Sequence, residues 1–167
     1  MGKRLPCILV VEDDRAVREL IVAFLKKGGH EKIITAGNAE EALFYIFKDP
    51  GLLIQLALVD LVLPNASGLA LIRRIRAAKV PWRRTLPIVV LTSRTDTETY
   101  KAASRRGIQG YLMKPVSAQL LQTTVAEVMA GKRPSMIAGA PLNPPENQAS
   151  DVPPPPTLDE SGPPETR

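Results

Sequence analysis

The stretch Ile8-Leu9-Val10-Val11, followed by Asp13-Asp14, decides how the whole chain is read. A short apolar run bounded by turn signals is the signature of a strand buried on both faces. Three further runs repeat the pattern. Leu56-Ala57-Leu58-Val59 ends at Asp60, Ile88-Val89-Val90-Leu91 at Thr92, and Tyr111-Leu112-Met113 at Lys114. In open parallel sheets, ligands bind beyond the carboxyl ends of the strands. Three carboxylates, a hydroxyl and an amine at four such ends predict one compact site for a cation and an anion.

Working outward, amphipathic segments separate the runs. Residues 15–27 place Val17, Leu20, Ile21, Phe24 and Leu25 on one helical face, and Gly28-Gly29 ends that helix. Residues 32–35 read as a short edge strand. Asn38, with Glu41 three positions on, is a capping-box arrangement for a helix reaching residue 48. Asp49-Pro50-Gly51 is a turn. Pro64 and Gly68 punctuate the loop after Asp60. The helix that follows turns Leu69, Ile72 and Ile75 inward and Arg73, Arg74 and Arg76 outward, as a solvated basic face. Residues 79–85 read as a linker, with Trp82 against the core. Residues 96–106 make a polar, poorly amphipathic helix. Ser117 caps the last helix, whose inward face carries Leu120, Leu121, Val125, Val128 and Met129.

Five alternating units predict an α/β fold: a flavodoxin-like, doubly wound, five-stranded parallel sheet of order 2-1-3-4-5, with right-handed crossovers and helices on both faces. The first and third strands are then neighbours. Their ends bring Asp13, Asp14 and Asp60 together at the switch point. Clustered carboxylates repel, so they need a cation, or one must hold a proton. Hard oxygen ligands suit Mg²⁺, which also binds substrate phosphate. An Asp in such a site can attack phosphorus and form an aspartyl phosphate. Lys114 and Thr92 can donate to the phosphate oxygens.

Taken singly, these residues have plainer readings. Asp13 and Asp14 can begin a helix, where carboxylates favour the macrodipole. Asp60 can be a turn residue, Lys114 a solvated lysine and Tyr111 a half-buried strand aromatic. Taken together, Asp13-Asp14, Asp60-Leu-Val-Leu-Pro64-Asn-Ala-Ser-Gly68, Thr92-Ser93 and Tyr111-Leu-Met-Lys114-Pro115 resemble the receiver domain of two-component response regulators. The resemblance covers residues 5–131. It implies that Asp60 is the phosphoacceptor and that Asp13, Asp14 and Asp60 hold Mg²⁺ with the backbone carbonyl of Val62. It implies that Lys114 pairs with the phosphoryl group, that Thr92 swings in to bond it, and that Tyr111 follows by rotating inward. The Lys114-Pro115 bond would be cis, an isomer open mainly to proline. Val62 and Arg94, two residues beyond Asp60 and Thr92, would set the lifetime of the phosphorylated state. Val62 offers no group to position a water, and Arg94 could cover the phosphoryl group, so slow self-dephosphorylation is expected.

The expected role is a single-domain response regulator that accepts a phosphoryl group from a sensor histidine kinase and switches protein contacts. It would catalyse only its own phosphotransfer and dephosphorylation. Output would pass to a downstream protein, a phosphotransfer protein or a homodimer, through the face of the fourth helix, fifth strand and fifth helix. Two other classes compete. A phosphohydrolase of the aspartyl-phosphate type wants a second Asp at position 62, where this chain has Val62. A flavodoxin-like cofactor module wants a phosphate-cradling loop after the first strand, where this chain is acidic. A degenerate receiver is opposed by the complete acidic set.

Composition sets the boundaries. The chain has 167 residues, enough for one domain and an extension. Ten of its sixteen prolines lie from Pro134 onward, where five acidic residues face one basic one, a net −4. Residues 1–133 are read as the domain, with 21 basic and 12 acidic residues, a net +9. Residues 134–167 are read as a Pro-rich acidic tail, disordered or an extended arm, with no effector domain after residue 132. The basic residues are scattered, with few aromatics and no helix-turn-helix or zinc-finger spacing, which argues against direct nucleic-acid binding. One cysteine, Cys7, excludes an internal disulfide and suits a reducing, cytoplasmic setting. No run approaches a signal peptide or membrane span.

Overall fold

A computed structural model describes residues 7–48 and 52–132. The Asp49-Pro50-Gly51 turn, the domain boundary at residue 133 and the Pro-rich segment 134–167 lie outside the described residues. Five strands, β1 (Cys7–Val11), β2 (Ile33–Ala36), β3 (Ile54–Val59), β4 (Ile88–Thr92) and β5 (Gly110–Met113), form one sheet of order β2-β1-β3-β4-β5. Every pairing is parallel. The helices are α1 (Arg15–Lys27), α2 (Ala39–Phe47), α3 (Gly68–Arg76), the single turn α4 (Pro81–Arg84), α5 (Thr97–Ser104) and α6 (Ala118–Met129).

The two faces of the sheet explain why the central strands are apolar throughout. Successive side chains point to opposite faces. Leu9, Val11, Ala57, Val59, Ile88 and Val90 therefore pack with residues of α2, α3 and α5. Ile8, Val10, Leu56, Leu58, Val89 and Leu91 pack with Ile21 and Leu25 of α1 and with Leu121, Val125 and Val128 of α6. All five residues of β1 and of β4 are buried, whereas three of the four in the edge strand β2 are only partly covered.

Short polar side chains start the helices by accepting otherwise orphaned first-turn N–H groups. Asn38 accepts from Glu41 N at 2.8 Å, while Glu41 Oε2 accepts from Gly37 N at 2.8 Å. Ser67, Asp96 and Ser117 cap α3, α5 and α6 in the same way. After α1 the chain turns at Gly29, whose φ of +88° suits a residue without Cβ.

Several local expectations are corrected. Leu20 and Met129 lie on the rims of their helices' apolar stripes, not inside, and are exposed. The expected linker at residues 79–85 contains α4, opened by Pro81 at its first position, where a missing N–H costs nothing. Trp82 is 43% exposed, not a core residue.

Arg76 departs furthest from its expected place on a solvated face. Its guanidinium folds back and donates to four main-chain carbonyls: Nε to Arg106 at 2.9 Å, Nη1 to Arg84 at 3.1 Å and Leu86 at 2.8 Å, and Nη2 to Gly107 at 2.9 Å. It thus ties the end of α3 to the chain entering β4 and to the turn before β5. Arg76→Ala would strip the donor from all four carbonyls and should cost about 2–4 kcal/mol, read as a lowered urea midpoint. Arg76→Lys should recover only part, because an ammonium lacks the planar fork.

Candidate functional site

The sheet ladder carries the site residues past the strand ends. Asp60 N donates to Val11 O at 3.0 Å, so β3 stays in step with β1 for one residue more. Glu12 N donates to Ala36 O at 3.0 Å and extends β1 along β2. Lys114 N donates to Thr92 O at 2.9 Å and extends β5 along β4. These side chains are therefore positioned by main-chain bonds and not by loop conformation.

One carboxylate oxygen each from Glu12, Asp13 and Asp60 lies within 4.8 Å of the other two. Glu12 and Asp60 are buried, at 2% and 4% exposure, while Asp13 is exposed at the mouth. Lys114 Nζ donates to Glu12 Oε2 and to Asp60 Oδ2, both at 2.5 Å. The other oxygen of Asp60, Oδ1, accepts from Val62 N at 2.8 Å. Glu12 Oε1 accepts from Asp14 N at 3.2 Å.

The electrostatics follow from this burial. Desolvation pushes the Glu12 carboxyl above the usual carboxylate range, against the opposing hydrogen bond and charge of Lys114 and with a smaller push from Asp60. Burial alone would lower the Lys114 pKa. Its hydrogen bonds to Asp60 and Glu12, and their charges, outweigh burial and hold the ammonium above the ordinary lysine value. Lys114 is thus a fixed cation. Three ionised carboxylates around it would leave an excess of two negative charges, and all the donor atoms are hard oxygens. Both features fit a divalent cation such as Mg²⁺.

Asp14 was expected among the cation ligands, and its place is corrected. Its side chain caps α1, Oδ1 accepting from Val17 N at 3.0 Å, so it is committed to the helix end and stands outside the cluster. Glu12 takes its place. Two signals in the chain point this way. Glu12 directly follows its apolar run, as Asp60 follows Val59 and Lys114 follows Met113. Asp14 directly precedes a helix, the ordinary position of a capping Asp.

The remaining residues surround the cluster. Thr92 is fully buried, and its Oγ1 accepts from Arg94 N at 3.2 Å. Tyr111, expected to rotate inward on switching, already lies inward. It is 1% exposed, packs edge-on against Tyr100 at 5.4 Å between centroids, and donates its hydroxyl to Arg94 O at 2.8 Å. Burial, helped by the charge of Asp96, pushes the phenol up to about 12, so it remains a neutral donor. The Arg94 side chain pairs with Asp96 at 3.3 Å on the surface, so it does not cover Asp60 in this conformation. Val62 is 49% exposed. The Lys114–Pro115 bond is cis.

Gly68 holds the loop after Asp60 in place. A Cβ there would lie 2.1 Å from Asp60 O and 2.7 Å from Leu61 Cα, both backbone atoms. Gly68 N also donates to Leu61 O at 3.0 Å. Gly68→Ala should therefore displace the Asp60 backbone, cost about 1–3 kcal/mol in thermal or urea unfolding, and impair the chemistry of Asp60 beyond that loss.

A family model for the response regulator receiver domain matches residues 8–126. The chain is similar to the virulence transcriptional regulatory protein PhoP of Salmonella typhimurium, 33% identical over 141 residues, covering 84% of this chain and 58% of that one. It is also similar to the sensory/regulatory protein RpfC of Xanthomonas campestris pv. campestris, 29% identical over 126 residues, covering 75% and 17%. The chain thus spans less than two thirds of either relative. Among solved structures, a response regulator receiver protein from Pseudomonas putida superposes with a TM-score of 0.66 at 35% identity, covering 76% of this chain and 99% of that one. Among the described residues, no helix is long and apolar enough to cross a membrane.

Proposed function

The chain belongs to the response regulator receiver family, and we propose that Asp60 is its phosphoacceptor, taking a phosphoryl group from a sensor histidine kinase. One observation carries this reading: the Asp60 carboxylate is buried against the Lys114 ammonium, with carboxylate oxygens of Glu12 and Asp13 within 4.8 Å. Glu12, Asp13 and Asp60 would hold Mg²⁺, with the Val62 carbonyl as a further oxygen ligand. Bound there, the ion supplies charge neutralisation for the phosphoryl oxygens.

An Asp60 oxygen attacks phosphorus, the bond from phosphorus to the donor imidazole breaks, and an acyl phosphate forms on Asp60. The imidazole leaves with the electron pair of that bond. Lys114 then exchanges its bond to the Asp60 carboxylate for one to a phosphoryl oxygen. Thr92 Oγ1, close to the same strand ends, turns its hydrogen to another. Moving Thr92 bears on the Arg94 amide it now accepts from, and Arg94 O holds the Tyr111 hydroxyl. The signal thereby reaches the face of α5, β5 and α6, where a downstream protein or a second copy docks. The chain acts on itself only. The apolar Val62 side chain positions no attacking water, which favours a phosphorylated state lasting minutes or more.

Incubation with a small-molecule phosphodonor and Mg²⁺ should add the mass of one phosphoryl group. Borohydride trapping should map it to Asp60. Absence of the gain, or a gain at another residue, refutes the reading. Decay of that mass within seconds refutes the long lifetime alone.

A further inference from the structure

The α2, α3 and α4 side carries two adjoining hollows of about 400 and 450 Å³ that share Phe47 and Arg74. Phe44 lines one and remains 54% exposed; Trp82, in α4 beside the other, is 43% exposed. The Arg83 guanidinium lies over both the Phe47 ring, at 5.5 Å, and the Trp82 ring, at 4.9 Å. Its Nε is buried and meets no acceptor among the described residues. Arg74, Lys48 and Lys79 add positive charge along the lining, against one acidic side chain, Glu40. The result is an aromatic groove with a basic rim. It adjoins the C-terminal ends of α2 and α3, at the edge of the sheet opposite Asp60.

We propose that this groove holds the chain's own segment 151–160, Asp-Val-Pro-Pro-Pro-Pro-Thr-Leu-Asp-Glu. Consecutive prolines favour the polyproline II helix, which aromatic-lined grooves bind at low ordering cost. Four residues of that helix span roughly 12 Å. Asp151 on one side, and Asp159 and Glu160 on the other, match the Arg74, Arg83 and Lys79 rim. The wider charge balance agrees: residues 134–167 carry a net −4 and residues 1–133 a net +9.

The connection is long enough. Helices in βα units return antiparallel to the strands, so α6 ends at the same edge of the sheet as α2 and α3. Only the thickness of the sheet separates the two helix layers there, about 20 Å in all. Positions 132 and 151 are nineteen residues apart, and the end-to-end distance expected for a chain of that length is about 25 Å. Docking within one chain then has the advantage of a high effective concentration.

Trp82 is the chain's single tryptophan, and its ring lies under Arg83, which lines the groove, so its exposure reports on the groove's occupancy. In the full chain, acrylamide should quench Trp82 fluorescence about threefold less than in an Asp151→Asn, Asp159→Asn, Glu160→Gln variant with the same thermal midpoint. A synthetic peptide of residues 148–162 should restore protection to that variant. Wild-type protection should stay constant over a roughly hundredfold range of protein concentration. Equal quenching in the two chains would overturn the proposal. Protection that rises with protein concentration would also overturn it, because the occupant would then be a second copy.

Discussion

An Asp60→Asn chain should gain no phosphoryl mass under conditions that fully modify the wild type. An amide oxygen carries no charge and is a poor nucleophile toward phosphorus. Glu12 is bonded to the same Lys114 ammonium, but its carboxyl is raised by burial and it sits at the end of β1, beneath the exposed Asp13. The fold should survive the change. The substituted side chain keeps an oxygen that can accept from Val62 N or Lys114, and one of three mutually repelling carboxylates is removed. Stability should therefore move by no more than about 1 kcal/mol in Mg²⁺-free buffer. Intact mass and thermal unfolding, measured on the same sample, separate lost chemistry from lost structure. Retained phosphoryl uptake in a folded Asp60→Asn chain would contradict the assignment.

Lys114→Ala should be the most destabilising change in the site. Lys114 Nζ is the cation bonded to both buried carboxylates, Glu12 and Asp60. Removing it leaves two buried negative charges facing each other with Asp13 nearby. Breaking one side of a buried ion pair costs about 3 kcal/mol. Protonation of Glu12, whose pKa is already raised, would absorb part of that cost, so the loss should shrink as pH falls through the folded pKa of Glu12. Mg²⁺ should restore stability in Lys114→Ala more than it adds to the wild type, because the ion replaces the missing positive charge. Phosphoryl uptake should remain slowed by about 100-fold even with saturating Mg²⁺, since one donor to the phosphoryl oxygens is gone. Urea unfolding with and without Mg²⁺, and the rate of mass gain, test the two effects separately. An unchanged midpoint without Mg²⁺ would mean that Lys114 does not offset the charge of the buried Glu12 and Asp60 side chains.

Most of the architecture was legible because its signals are local. An apolar run such as Ile8–Val11 or Leu56–Val59, short and bounded by turn signals, fits a strand covered on both faces, and five strands in alternation with helices admit few topologies. That order puts Asp60 beside the end of β1, and parallel pairing of β4 with β5 puts Lys114 beside Thr92. The ambiguity at the first acidic run is equally local. Three acidic residues, Glu12, Asp13 and Asp14, follow one another, and their types do not say which of them points into the site.

The chain's own sequence determined the strands, their order, the helix starts at Asn38 and Ser117, and the convergence of Asp13, Asp60, Thr92 and Lys114 at one edge, because periodicity and turn chemistry act over a few residues. Tertiary structure alone decided the rest. Glu12 enters the site because its amide still reaches Ala36 on the neighbouring strand, while Asp14 is released to cap α1. Arg76 turns inward because carbonyls of Arg106 and Gly107, thirty residues further along the chain, lie within reach of its guanidinium. Such choices depend on which distant backbone groups the fold brings alongside, and no local pattern of side chains encodes that proximity.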